Sequence, residues 1–405
     1  MAATEAEATE GEAPAPPTMA HAPETVAAAP ETGTRSGGMG HSTALFAAAM
    51  ALPGVTPGIA SAQDVADDGV IALKYLDYRD WQPGAARMRV RAPGLYVRKP
   101  LPDSTVLEGT LVHDTMSGAS PLYFNTLSGA SGIGVTDHRT AGDVKVTRYL
   151  GRYAFGVGAA ISAERDYLSR ALSTDLRISS EDRNRTWTLG FAGAADRIDS
   201  VNAAAVDERR HTLEVLVGVT QALSATTLVQ SNLAYATGHG YYDDPYKLLD
   251  ARPDHRRTLA WLTRVNQRVT ALDATLQIGY RLVRDSFGSD VHTLELAWVQ
   301  TLPHGIALTP SLRYTSQSAA DFYHDPPFPR GFVRGGLYTA DTRLAAFGAV
   351  TPGLKVVVAL GDSWSVDLKL EAYRQRARWR LGGSGSPGIE PLSARWVQIG
   401  ASRRF

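Results

Sequence analysis

The segment 114–131 reads DTMSGASPLYFNTLSGAS and contains the tetrapeptide SGAS twice. In the first copy Asp114 precedes Ser117, Gly118, Ala119 and Ser120. In the second, Asn125 takes the place of the acid ahead of Ser128, Gly129, Ala130 and Ser131. A serine hydroxyl is a nucleophile and Gly-Ala beside it leaves the backbone open to close approach, so each copy is a candidate site of attachment. Ser, Gly and Ala are also common in loops, so the alternative is a small-residue connection without chemistry.

Other reactive groups are less specific. GHGYYDDPY (238–246) places His239 near Asp243 and Asp244, and FYHDPPF (322–328) joins His324 to Asp325. Neither has a second convergent imidazole in sequence, and Asp, Pro and Tyr are ordinary turn residues, so no metal site is assigned. For hydrolysis the nearest pair is His113 with Ser117. In an extended strand they stand about 13 Å apart, too far for proton transfer, and no hydrolytic site is found.

What must position these groups is a 405-residue chain, 44% hydrophobic, without cysteine. Disulfides and thiolate metal sites are thereby excluded. Residues 1–34 lack Lys and Arg and carry Glu5, Glu7, Glu10, Glu12, Glu24 and Glu31 among Ala, Pro and Thr, a composition that does not fold. TALFAAAMALPGVTPGIASA (43–62) is apolar and ends on Ala60, Ser61 and Ala62, which predicts a secretory leader cut after Ala62. The expected division is therefore a disordered extension and cleavable leader over 1–62 and a single domain over 63–405. Removing the leader leaves the remainder only modestly basic, which gives no argument for nucleic acid.

From Gly69 onward the hydrophobic period is two. Over 271–284, ALDATLQIGYRLVR, Leu272, Ala274, Leu276, Ile278, Tyr280 and Leu282 alternate with Asp273, Thr275, Gln277, Gly279 and Arg281. The same alternation runs through Phe155, Val157, Ala159 and Ile161, through Leu213, Val215, Val217 and Val219, and through Trp364, Val366, Leu368 and Leu370. Connections alternate too. Short ones fall at 100–104, Leu150-Gly151, 179–184, 221–225, 266–270, 302–305 and 360–363, and longer ones at 117–141, 196–208, 238–254, 317–341 and 376–391. Together these predict an all-β fold, a transmembrane antiparallel up-and-down β-barrel of about sixteen strands in the bacterial outer membrane. The polar face collects Lys145, Glu164, Asp175, Arg177, Glu214, Arg264, Asp273, Arg281, Glu295, Asp367, Lys369 and Glu371, with little bias in sign. That reads as an interior braced by ion pairs.

Three resemblances add to this. The last strand, ARWVQIGASRRF, ends on Phe405 and resembles the signal read by the outer-membrane barrel-assembly machinery, with Arg403 at a position that is usually apolar. DYRDWQPG (77–84), SGASP (117–121), AGDVKVTRY (141–149), SEDRNRTW (180–187) and GLKVVVALGDSWSVDLKLEAY (353–373) resemble the uncharacterised domain-of-unknown-function family numbered 3570 over 68–405. That resemblance implies an outer-membrane barrel with no established activity. Finally, Asp114-x-x-Ser117-Gly118-Ala119-Ser120 resembles the acceptor segment in FMN-binding subunits of sodium-pumping quinone reductases, where an FAD:protein FMN transferase links FMN phosphate to the last hydroxyl. The resemblance implies covalent FMN on Ser120 and, less closely matched, on Ser131, with electron exchange toward periplasmic redox proteins. The competing expectation is a cofactor-free channel, transporter or envelope scaffold.

Overall fold

A computed structural model describes residues 68–118, 135–247, 249–325 and 333–405. The extension and leader therefore lie outside the described residues, as do Ala119, Ser120, Asn125, Ser128, Gly129, Ala130 and Ser131. Sixteen strands follow one another: β1 (Val70–Gln82), β2 (Ala85–Leu101), β3 (Thr105–Gly118), β4 (Val135–Leu150), β5 (Tyr153–Ala163), β6 (Tyr167–Ser179), β7 (Arg185–Ile198) and β8 (Glu208–Ser224). The second half comprises β9 (Thr227–Gly240), β10 (His255–Val269), β11 (Ala274–Asp285), β12 (Asp290–Leu302), β13 (Ile306–Gln317), β14 (Phe347–Leu360), β15 (Trp364–Arg376) and β16 (Leu392–Arg404). Each strand pairs antiparallel with its chain neighbours, and β1 closes on β16 from Val70↔Arg404 to Trp81↔Ser393. A closed ring leaves no unpaired strand edge, as a barrel surrounded by hydrocarbon requires.

The period-two reading holds, and its faces are inverted relative to a soluble protein. Phe155, Val157, Ile161, Leu213, Val215, Val217, Trp364, Val366, Leu368 and Leu370 are exposed on the outside, while Asp175, Arg177, Glu214 and Glu371 are buried inside. A soluble double sheet would bury the first set. On the outside, the apolar band gives way toward one end of the barrel to Arg79, Arg89, Arg91 and Arg395, the first three gathered around Asp77.

All seven short connections expected from sequence lie at the end that carries Phe405, and all five long ones lie at the other. The strands run further than the sequence indicated. β3 extends to Gly118 and β4 begins at Val135, so Ser117 and Gly118 belong to a paired strand, opposite Thr136 and Val135. Short connections at 83–84, 164–166 and 286–289 also fall at the long-loop end. Leu272 and Asp273 are not strand residues. Leu272 ends a 3-10 turn, and Asp273 has φ 48° and pairs with Arg268.

Placing a charge in the apolar band discriminates this arrangement from any soluble one. Leu368→Arg should destabilise the barrel by about 2–4 kcal/mol, whereas Gln277→Arg, on the inner face, should cost far less. Denaturant unfolding in lipid vesicles measures both, and equal costs would contradict the assigned faces.

Candidate functional site: the barrel interior and its loop-bearing mouth

At the long-loop end the described residues of the connections 241–254 and 318–346 fold together across the mouth. Gly240, the last residue of β9, leads into the first with φ 128°, and a Cβ there would collide with the Arg209 carbonyl, so only glycine lets the chain turn inward so close to β8. Tyr242 then packs over Gly238 and meets Phe287 edge-on at 5.8 Å, and Phe287 meets Phe322 at 5.1 Å. The two connections are joined by reciprocal backbone bonds, Ala251 N to Tyr338 O at 2.8 Å and Tyr338 N to Ala251 O at 2.9 Å. The connection 377–391 joins them where Gly388 N donates to Asp325 Oδ1 at 3.0 Å.

A buried charge network holds this assembly. Arg252 lies 2.6 Å from Asp250 and 3.0 Å from Asp341, Arg343 lies 2.8 Å from Asp244 and also contacts Asp341, and Lys247 lies 3.0 Å from Asp244. Burial by itself would raise the carboxyls of Asp244 and Asp341. The surrounding Lys247, Arg343 and Arg252 outweigh it, holding Asp244 below and Asp341 well below the ordinary carboxylate range. Under this roof Arg210 of β8, almost wholly buried, donates to Asp196 Oδ2 through Nε at 2.9 Å and to Tyr167 Oη at 3.1 Å, and stacks 5.2 Å from the Tyr242 ring. The barrel wall and the mouth loops thus share one desolvated cation.

Below the mouth the interior carries both signs, unevenly distributed around the ring. Register places Glu108 and Asp114 of β3 and Asp137 and Asp143 of β4 on the inner face. Half-way round the ring, β10, β11, β13 and β14 turn Arg264, Arg281, Arg313 and Lys355 inward. The cations on the acidic side are committed locally, Arg139 to Asp114 at 2.5 Å and Lys145 to Asp175 at 2.5 Å. Near the basic side Arg313 approaches Glu295 at 3.5 Å and Glu371 at 3.3 Å, Lys369 approaches Glu371 at 3.2 Å, and Lys74 approaches Asp367 at 3.9 Å. Ion-pair bracing is therefore present as expected. Both signs occur on both walls, with acid in excess around β3 and β4 and base in excess around β10, β11, β13 and β14.

Of the residues singled out from sequence, Asp114 faces the interior and accepts from Arg139 Nε at 2.7 Å. Glu164 lies in the β5–β6 connection instead of on a strand wall. His113 bonds Thr140 Oγ1 at 3.0 Å on the outer face, with Ser117 further along the same strand opposite Thr136, so the two do not converge. His324 stacks on Tyr338 at 5.0 Å while Asp325 serves Gly388. His239 turns away from Asp243 and Asp244 to face His255 of β10. Sequence reading missed the Asp244–Arg252–Asp341–Arg343 network. Its only sequence signal is four charged residues in connections that otherwise read as loops.

Removing one cation from this network leaves buried carboxylates uncompensated. Arg343→Ala should loosen the mouth by about 3–5 kcal/mol, seen as faster hydrogen exchange in 241–254. The network also has a pH limit. Depressed folded pKa values mean that Asp244 and Asp341 bind protons more weakly folded than unfolded, so their contribution is full above about pH 4 and is lost as pH falls through the lower folded values. Exchange protection of 241–254, corrected for intrinsic rates, should therefore persist at pH 5 and fall only below about pH 4.

No curated protein matches the chain. Among solved structures, similarity extends to a bacterial polysaccharide outer membrane secretin, with 8% identity, TM-score 0.49 and coverage of 84% of this chain and 100% of that one. CdiB from Acinetobacter baumannii has 8% identity and TM-score 0.47, over 82% of this chain, which spans 60% of CdiB. OccK11 (OpdR) from Pseudomonas aeruginosa has 10% identity and TM-score 0.43, over 84% and 96% of the two chains. These are likenesses of architecture with no bearing on activity. The model of the family described as "Protein of unknown function (DUF3570)" matches residues 126–207 and 201–396, a span that includes three of the five phrases noted above and excludes DYRDWQPG and SGASP. With most of the closed sixteen-strand ring inside those matched segments, the chain belongs to the DUF3570 family.

Proposed function

We propose that the protein is an outer-membrane channel for small polar solutes, with its lumen polarised from one wall to the other. The observation that carries this reading is an excess of acidic groups on the β3–β4 inner wall facing an excess of basic groups around β10, β11, β13 and β14, below a mouth crossed by the described residues of the 241–254 and 318–346 connections. A sixteen-strand ring is wide enough to leave an aqueous path, and charged lining residues then set which ions pass. The exposed apolar band matches a hydrocarbon surround.

Purified protein in a planar lipid bilayer should give discrete conductance steps. Arg264→Gln with Arg281→Gln should shift the reversal potential in a salt gradient toward cations, with heat-modifiable gel mobility confirming the folded barrel. A silent bilayer containing folded protein would overturn the channel reading.

A second reading concerns Ser120 and Ser131 as acceptors of covalent FMN serving extracytoplasmic electron transfer. Its support is the way β3 carries Asp114, Ser117 and Gly118 to the barrel mouth, so that both motifs end in the β3–β4 connection. That connection leaves the end opposite Phe405, so a periplasmic transferase would act before insertion. Co-expression with an FAD:protein FMN transferase should give a gel band fluorescent under ultraviolet light, lost in Ser120→Ala with Ser131→Ala. A dark band from the unmodified sequence would remove this reading and leave the channel untouched.

A further inference from the structure

We infer that His239, Asp254 and His255 form a binding site for a borderline divalent metal ion, of the Zn²⁺, Ni²⁺ or Cu²⁺ class, on the outer face of the barrel at the root of the 241–254 connection. His239 is the penultimate residue of β9 and His255 the first of β10, and they are direct cross-strand partners. Their ring centroids are 4.8 Å apart with planes inclined by 54°. The potential ligand atoms of His239, Asp254 and His255 all lie within 4.8 Å of one another, and the Asp254 carboxylate contacts His255 Nδ1.

The backbone beneath is already ordered. Gly240 N donates to Asp254 O at 2.8 Å and Tyr241 N to Arg209 O at 2.9 Å, so the ligands stand on paired strand ends. Donor atoms around a tetrahedral ion with bonds of about 2.0–2.1 Å stand roughly 3.3 Å apart, and rotation of exposed side chains closes that gap without moving the backbone. A third imidazole, His211, is the direct partner of His239 on β8 and is also exposed.

The donor set selects the ion. Two imidazoles and one carboxylate favour borderline d-block cations, whereas Ca²⁺ and Mg²⁺ prefer oxygen ligands throughout. Asp254 serves either as the third ligand or as the group that orients His255 through Nδ1, leaving Nε2 for the ion. A bound ion would tie together the two ends of the connection that carries Asp244, Lys247, Asp250 and Arg252 across the mouth. This site is independent of the channel and FMN readings.

The test uses the full chain without a histidine tag, folded in detergent micelles and titrated with ZnCl₂ by calorimetry. About one ion per chain is expected, with affinity reduced at least tenfold in His239→Ala and in His255→Ala, and no comparable heat from CaCl₂. His113→Ala with His138→Ala, the other outward pair, whose rings lie 6.1 Å apart, should leave binding unchanged. Heat-modifiable mobility confirms that each variant is folded. Undiminished affinity in His239→Ala with His255→Ala, equal binding of Ca²⁺, or loss of Zn²⁺ binding in the His113 and His138 variant would each overturn the assignment, as would absence of binding to the unmodified protein.

Discussion

Closure of β1 on β16 is the contact on which the rest of the structure depends. Every other strand pair joins neighbours in the chain and closes a loop far shorter than the domain, at lower entropic cost. The Val70↔Arg404 to Trp81↔Ser393 ladder brings together the two ends of the domain. Without it the sheet would present two long edges, each a row of unpaired backbone groups that hydrocarbon cannot satisfy. With it, inside and outside become distinct, and the same alternation that would make an ordinary strand half-buried now separates an apolar exterior from a charged interior.

Closure also creates the electrostatics. Glu108 and Asp143 on one wall and Arg264 and Arg281 on the other are not contacts of any hairpin, and they oppose each other only because the ring places β3 and β4 half-way round from β11 and β12. At the mouth the arrangement is more compact. Arg252, Arg343, Asp244 and Asp341 come from two connections distant in sequence and are nearly excluded from solvent. Such groups are costly to desolvate and are tolerated because each charge has at least one partner of opposite sign. The network therefore specifies how the two connections meet more than it adds to stability, and Arg210 extends that specification down into the wall.

The architecture was readable because period two survives in any strand with two unlike faces. Sixteen strands, the short-and-long alternation of connections and the outward apolar set all follow from it. Strand ends were less legible: β3 and β4 continue past the last clean alternation because cross-strand pairing, not hydrophobicity, sustains them up to Gly118 and from Val135. Asp273 misled for a related reason. It keeps the alternating pattern in sequence, yet sits in a left-handed turn position that Asp accepts more readily than most residues.

Candidate sites show the same division. The twin SGAS segments are a purely local signal, complete in the sequence. The His239–His255 pair is invisible there, because Asp243 and Asp244 are nearer in the chain and only the β9–β10 register brings His255 opposite. The sequence by itself determined which residues face apart, roughly how many strands there are and that long and short connections gather at opposite ends, since these depend on local periodicity and turn chemistry. Only the tertiary structure decided which charges oppose, which loops interlock and which imidazoles meet, since those depend on ring closure and on the register between strands.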